Sequence, residues 1–400
     1  MPIKVLHLIT RLIVGGAQEN TLRTAQLLSA GPWDVTIVTG PQTGSEGSLI
    51  EAVRELGIPL TIEPMLVRQV HPLKDPLALL RLRRFISRGG YTIVHTHSSK
   101  AGILGRWAAK LAGVPIIVHT VHGWGHHDRQ PPPVRASYIW LEKLTSRITD
   151  KLIAVSLLNM KKGLLDGTGT PESYVIIRSG IDLERFGHPR VPRNETRAAL
   201  GVPPDAPVVG TVTRLAPQKA PLDFVRAAAR VAKRAPGTWF VMVGDGPLRA
   251  AVEALAAELG VAGRLVLTGL RSDIPELMAA FDVFALSSLW EGLPRVLPQA
   301  MAAGLPIVTT ACDGCAEAVE DGVNGLQTPP GAPDALAQAL LRLVQDPALA
   351  RQMGAAGQAR AAEFGDRKMV SQIAALYTDL LTQKGLVTET TSDIHAGEHG

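Results

Sequence analysis

The stretch SSLWEGLPRVLPQAMAAGLPIVTT, Ser287 to Thr310, reads as the end of a strand, a tight loop, a helix, a glycine turn and a second strand. That order is a βαβ unit, in which the two strands run parallel and the helix covers one face of the sheet. Pro294 falls where the pattern predicts the first helical position, and a proline there gives up a backbone donor that has no partner anyway. The N–H groups that follow, with the positive end of the helix dipole, favour an anion such as phosphate. Glu291, on the loop, would stand beside whatever the phosphate carries, and Gln299, farther along the helix, would reach its other side. A nucleoside diphosphate sugar suits this arrangement. A buried βαβ unit with a chance carboxylate in its loop is the competing reading.

The same alternation extends outward through the chain. KVLHLIT, DVTIVTG, YTIVHTH and PIIVHTV in the first half, then APVVGTV, TWFVMVG, RLVLTGL and DVFALSS in the second, are apolar runs separated by amphipathic helical stretches. Near-continuous apolar strands belong to parallel sheets covered on both faces, so the expected fold class is α/β, with two Rossmann-like domains. Ligands of such sheets bind beyond the carboxyl ends of the strands, and two sheets facing across a cleft would each supply one wall. The expected divisions are an acceptor-side domain at 1–186, a linker at 187–206, a nucleotide-sugar domain at 207–365, a C-terminal helix at 366–385 and a disordered tail at 386–400. The linker is placed at GHPRVPRNETRAALGVPPDAP for its proline and charge.

Composition narrows the class. Four hundred residues, 46% of them hydrophobic, suffice for two buried cores and exclude a fibrous or disordered chain. No run approaches the ~18 apolar residues of a membrane span, and MPIKVLHLITRL is an apolar strand broken by Arg11 and too short for a signal peptide, so a cytoplasmic location is expected. Cys312 and Cys315 are too few for a disulfide framework, and their C-x-x-C has no further ligands at zinc spacing; they read as small loop residues. Residues 1–200 hold 25 Lys and Arg against 15 Asp and Glu, a net of +10, while the second half carries −5. The two halves should therefore meet different partners.

The Ser287–Thr310 segment closely resembles the signature of the retaining glycosyltransferases of family 4, of the polysaccharide-biosynthesis type, in which one Glu is followed at a fixed interval by a second. Here Glu291 holds the first position and Gln299 the second. The resemblance covers about residues 3–380 and implies the paired-Rossmann architecture called GT-B. It implies that Glu291 contacts hydroxyls of the donor sugar and that Gln299 takes the place of a ribose contact, with an amide lacking the charge-assisted strength of a carboxylate. Pro294 stands where the family often has Gly, which removes one backbone donor. The implied donor site runs through Gly292, Leu293, Pro294, Arg295 and Val296.

Further residues gather around that expectation. Arg214 and Lys219 share the loop RLAPQKA after a strand, where two cations would clamp a diphosphate and neutralise the charge of the leaving group. They match the Arg and Lys that the family uses on donor phosphates. Gly244 and Gly246 of GDGPL permit close backbone approach, though a G-x-G without a third glycine is a weak signal and disfavours a dinucleotide enzyme. The resemblance puts this loop in the nucleotide pocket, with the backbone near Leu270 and Arg271 against the base, and puts Gly15 and Gly16 beside the diphosphate. His95 and His97 share one strand face, and His122 is read as ending the fourth strand. By resemblance His122 lies near the donor sugar, where an ordinary imidazole pKa would let it share a proton at neutral pH. In RSGIDLERF, Ser179 replaces the family's Asn, and Gly180 and Asp182 read as capping a turn.

The expected activity is transfer of a sugar, with retention, from a nucleoside diphosphate donor to a lipid-linked glycan acceptor. No D-x-D occurs, so Arg214, Lys219 and the helix opening near Pro294 are expected to hold the diphosphate without a metal or other cofactor. Two alternatives stay open, a non-hydrolysing nucleotide-sugar epimerase and a non-catalytic nucleotide-sugar binder. No nucleic-acid partner is expected. An anionic membrane surface is expected, because RLRRFISRGG sets Arg81, Arg83, Arg84 and Arg88 near Phe85 and Ile86, and GWGHHDRQPPPVRASYIWLEK interleaves Trp124, Tyr138 and Trp140 with Arg129, Arg135 and Lys143. The protein would then be peripheral on the inner face of the cell membrane.

Overall fold

The computed structural model describes residues 2–42, 44, 46–126 and 130–387. Two compact units emerge, one of residues 1–43, 48–180 and 366–400, the other of 44–47 and 181–365. The first is built on β1 (Ile3–Ile9), β2 (Trp33–Thr39), β3 (Leu60–Ile62), β4 (Ile93–His97), β5 (Ile116–Val121), β6 (Lys151–Ala154) and β7 (Tyr174–Ile176). All pair in parallel, in the order β3-β2-β1-β4-β5-β6-β7. The second uses β8 (Val208–Val212), β9 (Trp239–Val243), β10 (Leu265–Gly269), β11 (Val283–Leu286), β12 (Ile307–Thr310) and β13 (Gly325–Thr328), also parallel, ordered β10-β9-β8-β11-β12-β13.

Both orders reverse beside the first strand of their unit, between β1 and β4 and between β8 and β11. Loops at such a switch point diverge and leave a crevice at the carboxyl end of the sheet. The α/β class and both Rossmann-like units therefore stand as expected. Four strands escaped the sequence reading: β3, β6, β7 and β13 have three or four residues each, too short or too polar to register as apolar runs. His122 accordingly follows the fifth strand and not the fourth.

Alternation along the strands divides the first unit's core in two. Val5 and Ile9 of β1 join Ile93 of β4 and Val118 of β5 on one face. Leu6 and Leu8 face the opposite way, onto Leu82, Ile86, Ala101 and Ala108. The first face is covered by the helix Asp366–Gln383, which buries Met369, Val370, Ile373, Leu376, Tyr377, Leu380 and Leu381.

The domain boundaries need correction. Apart from the short excursion at 44–47, the chain crosses to the second unit between Gly180 and Ile181, not at 187–206, and returns to the first unit at Asp366. A Cβ on Gly180 would lie 2.5 Å from Cα of Asp366, so the outgoing and returning strands pass where only glycine fits. The supposed linker contains a helix, Arg193–Ala199, and belongs to the second unit. Arg197 donates from Nε to the Ala280 carbonyl at 2.9 Å and from Nη2 to Asp282 at 2.7 Å, while Arg193 pairs with the same Asp282. Charge and proline marked a docked segment, because the guanidinium groups are spent on buried carbonyls. The terminal helix spans Asp366–Gln383, Val387 beyond it still packs against the core, and the remainder of the supposed tail, 388–400, lies outside the described residues.

Candidate active site

The carboxyl ends of β8 and β11 carry the loops that hold Lys219 and Glu291. The two loops are fastened together. The Gln218 side chain donates to the Trp290 carbonyl at 2.9 Å, the Leu289 N–H donates to the Gln218 carbonyl at 2.8 Å, and Ser287 Oγ donates to the carbonyls of Lys219 and Ala220 at 3.0 Å each. Within that frame the Lys219 ammonium is paired with Oε1 of Glu291, and Ser288 Oγ donates to the same oxygen at 2.6 Å. The Glu291 side chain is 7% exposed and that of Lys219 19%. A charge-assisted contact of this kind fixes both groups in one orientation.

The turn beyond β12 holds Glu291 from behind. Asp313 accepts from the Glu291 N–H at 3.0 Å, and the Gly314 N–H donates to the Gly292 carbonyl at 2.9 Å. Among the described residues, three that are not glycine have positive φ: Ser98 at 61°, Ala220 at 44° and Asp313 at 39°. Each follows the carboxyl end of a strand, and two adjoin the Lys219 and Glu291 pair. Strained backbone kept in such loops is a mark of a functional site.

The glycines of the next loop pack closely against the Arg214 loop. Gly244 has φ 126°, and a Cβ there would lie 2.0 Å from the Thr213 carbonyl. Leu215 N–H donates to the Asp245 carbonyl at 3.0 Å and Leu248 N–H to the Leu215 carbonyl at 2.9 Å. What approaches Gly244 and Gly246 closely is thus the backbone of the Arg214 loop, which they hold in place. Arg214 itself lies 4.0 Å from Glu46. Leu270 is 45% exposed, and Arg271 forks onto Asp273, with Nε 2.7 Å from Oδ1.

Helix Val296–Ala302 opens two residues later than predicted. Pro294 is therefore not its first residue; its carbonyl accepts from Leu297 N–H at 3.1 Å in a tighter turn that precedes the helix. Pro298 sits in the first helical turn instead, where backbone donors have no intrahelical partner. Gly292, Leu293 and Pro294 are buried, Arg295 and Val296 half-buried, and Gln299 is buried in the helix. Cys312 and Cys315 are buried thiols 3.7 Å apart, and Cys315 lies in the helix Asp313–Ala318, so it is not a loop residue. Burial pushes the Cys315 thiol well above its usual range.

In the first unit, Gly15 caps the helix Gly16–Ser29 in an extended conformation, φ 176°. Asp182 accepts from the Arg185 N–H at 3.1 Å and caps the helix Leu183–Gly187, as its sequence suggested. The histidines form a larger group than the sequence indicated. Rings of His95 and His97 lie 4.3 Å apart, and His7 of β1 joins them at 5.0 and 5.2 Å. His7 Nδ1 is 2.9 Å from His97 Nε2, and His97 Nδ1 is 3.1 Å from His122 Nε2. His95 meets the Tyr377 hydroxyl at 2.6 Å and Thr120 Oγ1 at 2.7 Å. One nitrogen each of His7, His95 and His97 falls within 4.8 Å of the others. Burial holds His7 down at about 3, and His95 and His97 well below the usual imidazole range. His7 and Asp313 were missed because the partner of each is distant in sequence, and Ser288 because the Ser287–Glu291 loop gives no local sign of which side chain turns to the carboxylate.

Two doubly wound parallel sheets, one presenting a lysine and carboxylate at its switch point, define a paired-Rossmann enzyme of the nucleotide-sugar class. Sequence relationships carry this further. The family "Glycosyl transferases group 1" matches residues 192–360, and "Glycosyltransferase Family 4" matches residues 14–185. The UDP-Gal:alpha-D-GlcNAc-diphosphoundecaprenol alpha-1,3-galactosyltransferase of Escherichia coli is 33% identical over 389 residues, covering 96% of this chain and 98% of that one. A D-inositol 3-phosphate glycosyltransferase of Saccharomonospora viridis is 29% identical over 76% of this chain and 73% of its own. Anabaena Alr3699/HepE in complex with UDP-glucose superposes with a TM-score of 0.81 at 25% identity, covering 94% of this chain and all of that one. The chain belongs to the group 1, family 4 glycosyltransferases, and it is an enzyme of that class.

Proposed function

We propose that this glycosyltransferase moves a hexose from a UDP-linked donor, with retention, onto a glycan carried by a polyprenyl diphosphate at an anionic membrane face. The observation that carries the reading is the Lys219, Glu291 and Ser288 constellation at the β8 and β11 switch point. A fixed carboxylate there suits the hydroxyls of a donor sugar, and the neighbouring ammonium suits the diphosphate that leaves. The acceptor class is supported by the galactosyltransferase relative, whose acceptor is diphosphoundecaprenol-linked, over nearly the whole of both chains. Its assay is direct: UDP-sugars are offered with a synthetic polyprenyl-diphosphate N-acetylglucosamine, and labelled product is followed by extraction. Absence of product with every donor, in protein that binds UDP, would reject the reading. The same assay with excess EDTA is expected to keep most of the rate, since protein cations neutralise the diphosphate in this account. Activity lost to EDTA and restored by magnesium or manganese would overturn the metal-independent arrangement.

A membrane face has support in the helix Lys74–Gly89. Among the described residues no helix is long and apolar enough to cross a membrane, so association would be peripheral. Positions 73, 77, 80, 84 and 88 follow helical spacing along one side, and they are Leu73, Leu77, Leu80, Arg84 and Arg88, all exposed. Leu73 is 71% exposed and Leu80 58%. Because a helix between parallel strands runs back against them, its start lies at the carboxyl end of the first unit's sheet. The arginines are among those the sequence suggested, and all four of Arg81, Arg83, Arg84 and Arg88 are exposed, but the apolar partners differ. Ile86 is buried, Phe85 is half-buried against Tyr91, Trp124 donates to the Asn159 carbonyl at 2.9 Å, and Arg129 lies outside the described residues. Trp140 alone of the three named aromatics is well exposed, at 62%. Sedimentation with phosphatidylglycerol vesicles at low salt is expected to carry the protein down, and Leu77→Asp with Arg84→Glu to leave it in solution. Each basic residue near an anionic surface contributes about 1 kcal/mol, so salt should release the parent protein as well. Parent protein that ignores such vesicles at low salt would remove the membrane face from the proposal.

A further inference from the structure

The three histidines His7, His97 and His122 make a continuous file across neighbouring strands. His7 lies on β1 and His97 at the end of β4, while His122 follows β5; β1, β4 and β5 are adjacent in the sheet. Both nitrogens of His97 are engaged by other imidazoles, Nε2 by His7 Nδ1 at 2.9 Å and Nδ1 by His122 Nε2 at 3.1 Å. A neutral imidazole has one N–H and one lone pair, so His97 must donate to one neighbour and accept from the other. The file consequently has a direction, and setting it at one end sets it at the other.

The inner end decides. His7 Nε2 is buried without a partner. If the protons ran inward, an N–H would be stranded there; if they run outward, only a lone pair is left. Orphaned buried N–H groups are the rarer of the two in folded proteins, and neither His7 nor His97 escapes by taking a charge, since both are neutral at physiological pH. His7 Nδ1–H therefore donates to His97 Nε2, and His97 Nδ1–H donates to His122 Nε2. His95 does not disturb the direction, because its own nitrogens meet two hydroxyls, which can each give or accept.

We propose that His97 and His7 are positioning residues that fix His122 as the Nδ1–H tautomer and anchor its ring through Nε2. His122 then acts on the donor sugar as a hydrogen-bond donor and not as a base. This rests on the reading that His122 meets the donor, and it replaces proton sharing by that residue.

The test has two parts. In the full-length protein labelled with ¹⁵N-histidine, long-range ¹H–¹⁵N correlation at neutral pH is expected to show His122 with a pyrrole-type Nδ1 and a pyridine-type Nε2, the signal being assigned by its loss in His122→Gln. A protonated Nε2, or averaging of the two nitrogens, overturns the proposal, and this measurement requires neither turnover nor a change at His97. In the second part, His97→Phe removes the donor to His122 while His97→Asn restores one, because an asparagine amide nitrogen overlies Nδ1 of histidine. His97→Phe is expected to lower kcat about 10- to 100-fold, the usual cost of losing a partner that orients a functional histidine, with UDP affinity within about threefold. His97→Asn should recover most of that rate, and thermal midpoints will show whether either variant is folded. Equal kcat in His97→Phe and parent, or equal loss in both variants with folding intact, refutes the positioning role. Failure of the glycosyltransferase reading looks different, since the parent would then turn over no acceptor while its His122 spectrum stayed as described.

Discussion

Glu291→Gln is expected to bind UDP nearly as the parent does and to transfer sugar about 10²- to 10³-fold more slowly, the usual cost of losing one fixed group that stabilises charge in a transition state. The substitution keeps the size of the side chain and an oxygen for Ser288, which donates to Glu291 at 2.6 Å. What it removes is the negative charge facing Lys219. An interaction that strengthens as the sugar acquires positive character should appear in kcat more than in KM. Initial rates over a range of donor concentrations, with UDP affinity measured separately, distinguish the two. A parent-like kcat would discard Glu291 as a site residue. A folded variant that no longer bound UDP would show that the carboxylate orders the loops and does not meet the sugar.

A chain ending at Gly365 is expected to lose the first unit's fold and keep the second's. The helix Asp366–Gln383 supplies the first unit with seven buried apolar side chains, among them Tyr377, which is wholly buried and meets His95 at 2.6 Å. At about 1.5–3 kcal/mol for each large side chain, their removal costs about 10–20 kcal/mol, as much as or more than the 5–15 kcal/mol by which a domain is ordinarily stable. The second unit receives from the lost segment none of the residues in its own core, which draws on Val209 to Met353. Amide hydrogen exchange should find residues 181–365 protected and residues 2–180 open. Protection throughout both regions would mean that the final helix is an accessory to the first unit and not part of its core.

The same helix shows where reading the sequence stopped. Its amphipathic period is visible from Asp366 onward, but a period states only that one side is buried, not against which partner. The sequence reading set it apart as a C-terminal helix without a partner. The exposed apolar face of β1 and β4 claimed it instead, nearly the whole chain away. The Arg193 helix went wrong in the opposite sense, since charge and proline are local signs of a loop, whereas a guanidinium that finds buried carbonyls such as those of Ala280 and Phe281 can seat a helix firmly.

What the sequence determined by itself was whatever depends on local order: apolar strand runs alternating with helices, hence two parallel doubly wound sheets, and the loop positions of Lys219, Glu291 and Gly244 at strand ends, hence a nucleotide-sugar enzyme. The tertiary structure alone decided the pairings. It joined Lys219 to Glu291 across 72 positions and His7 to His97 across 90, and it packed Gly244 against the Thr213 carbonyl of a neighbouring loop. The physical reason is that a hydrogen bond or ion pair is set by distance in space, and strands adjacent in a parallel sheet are brought together by crossovers whose length leaves no trace in the residues at either end.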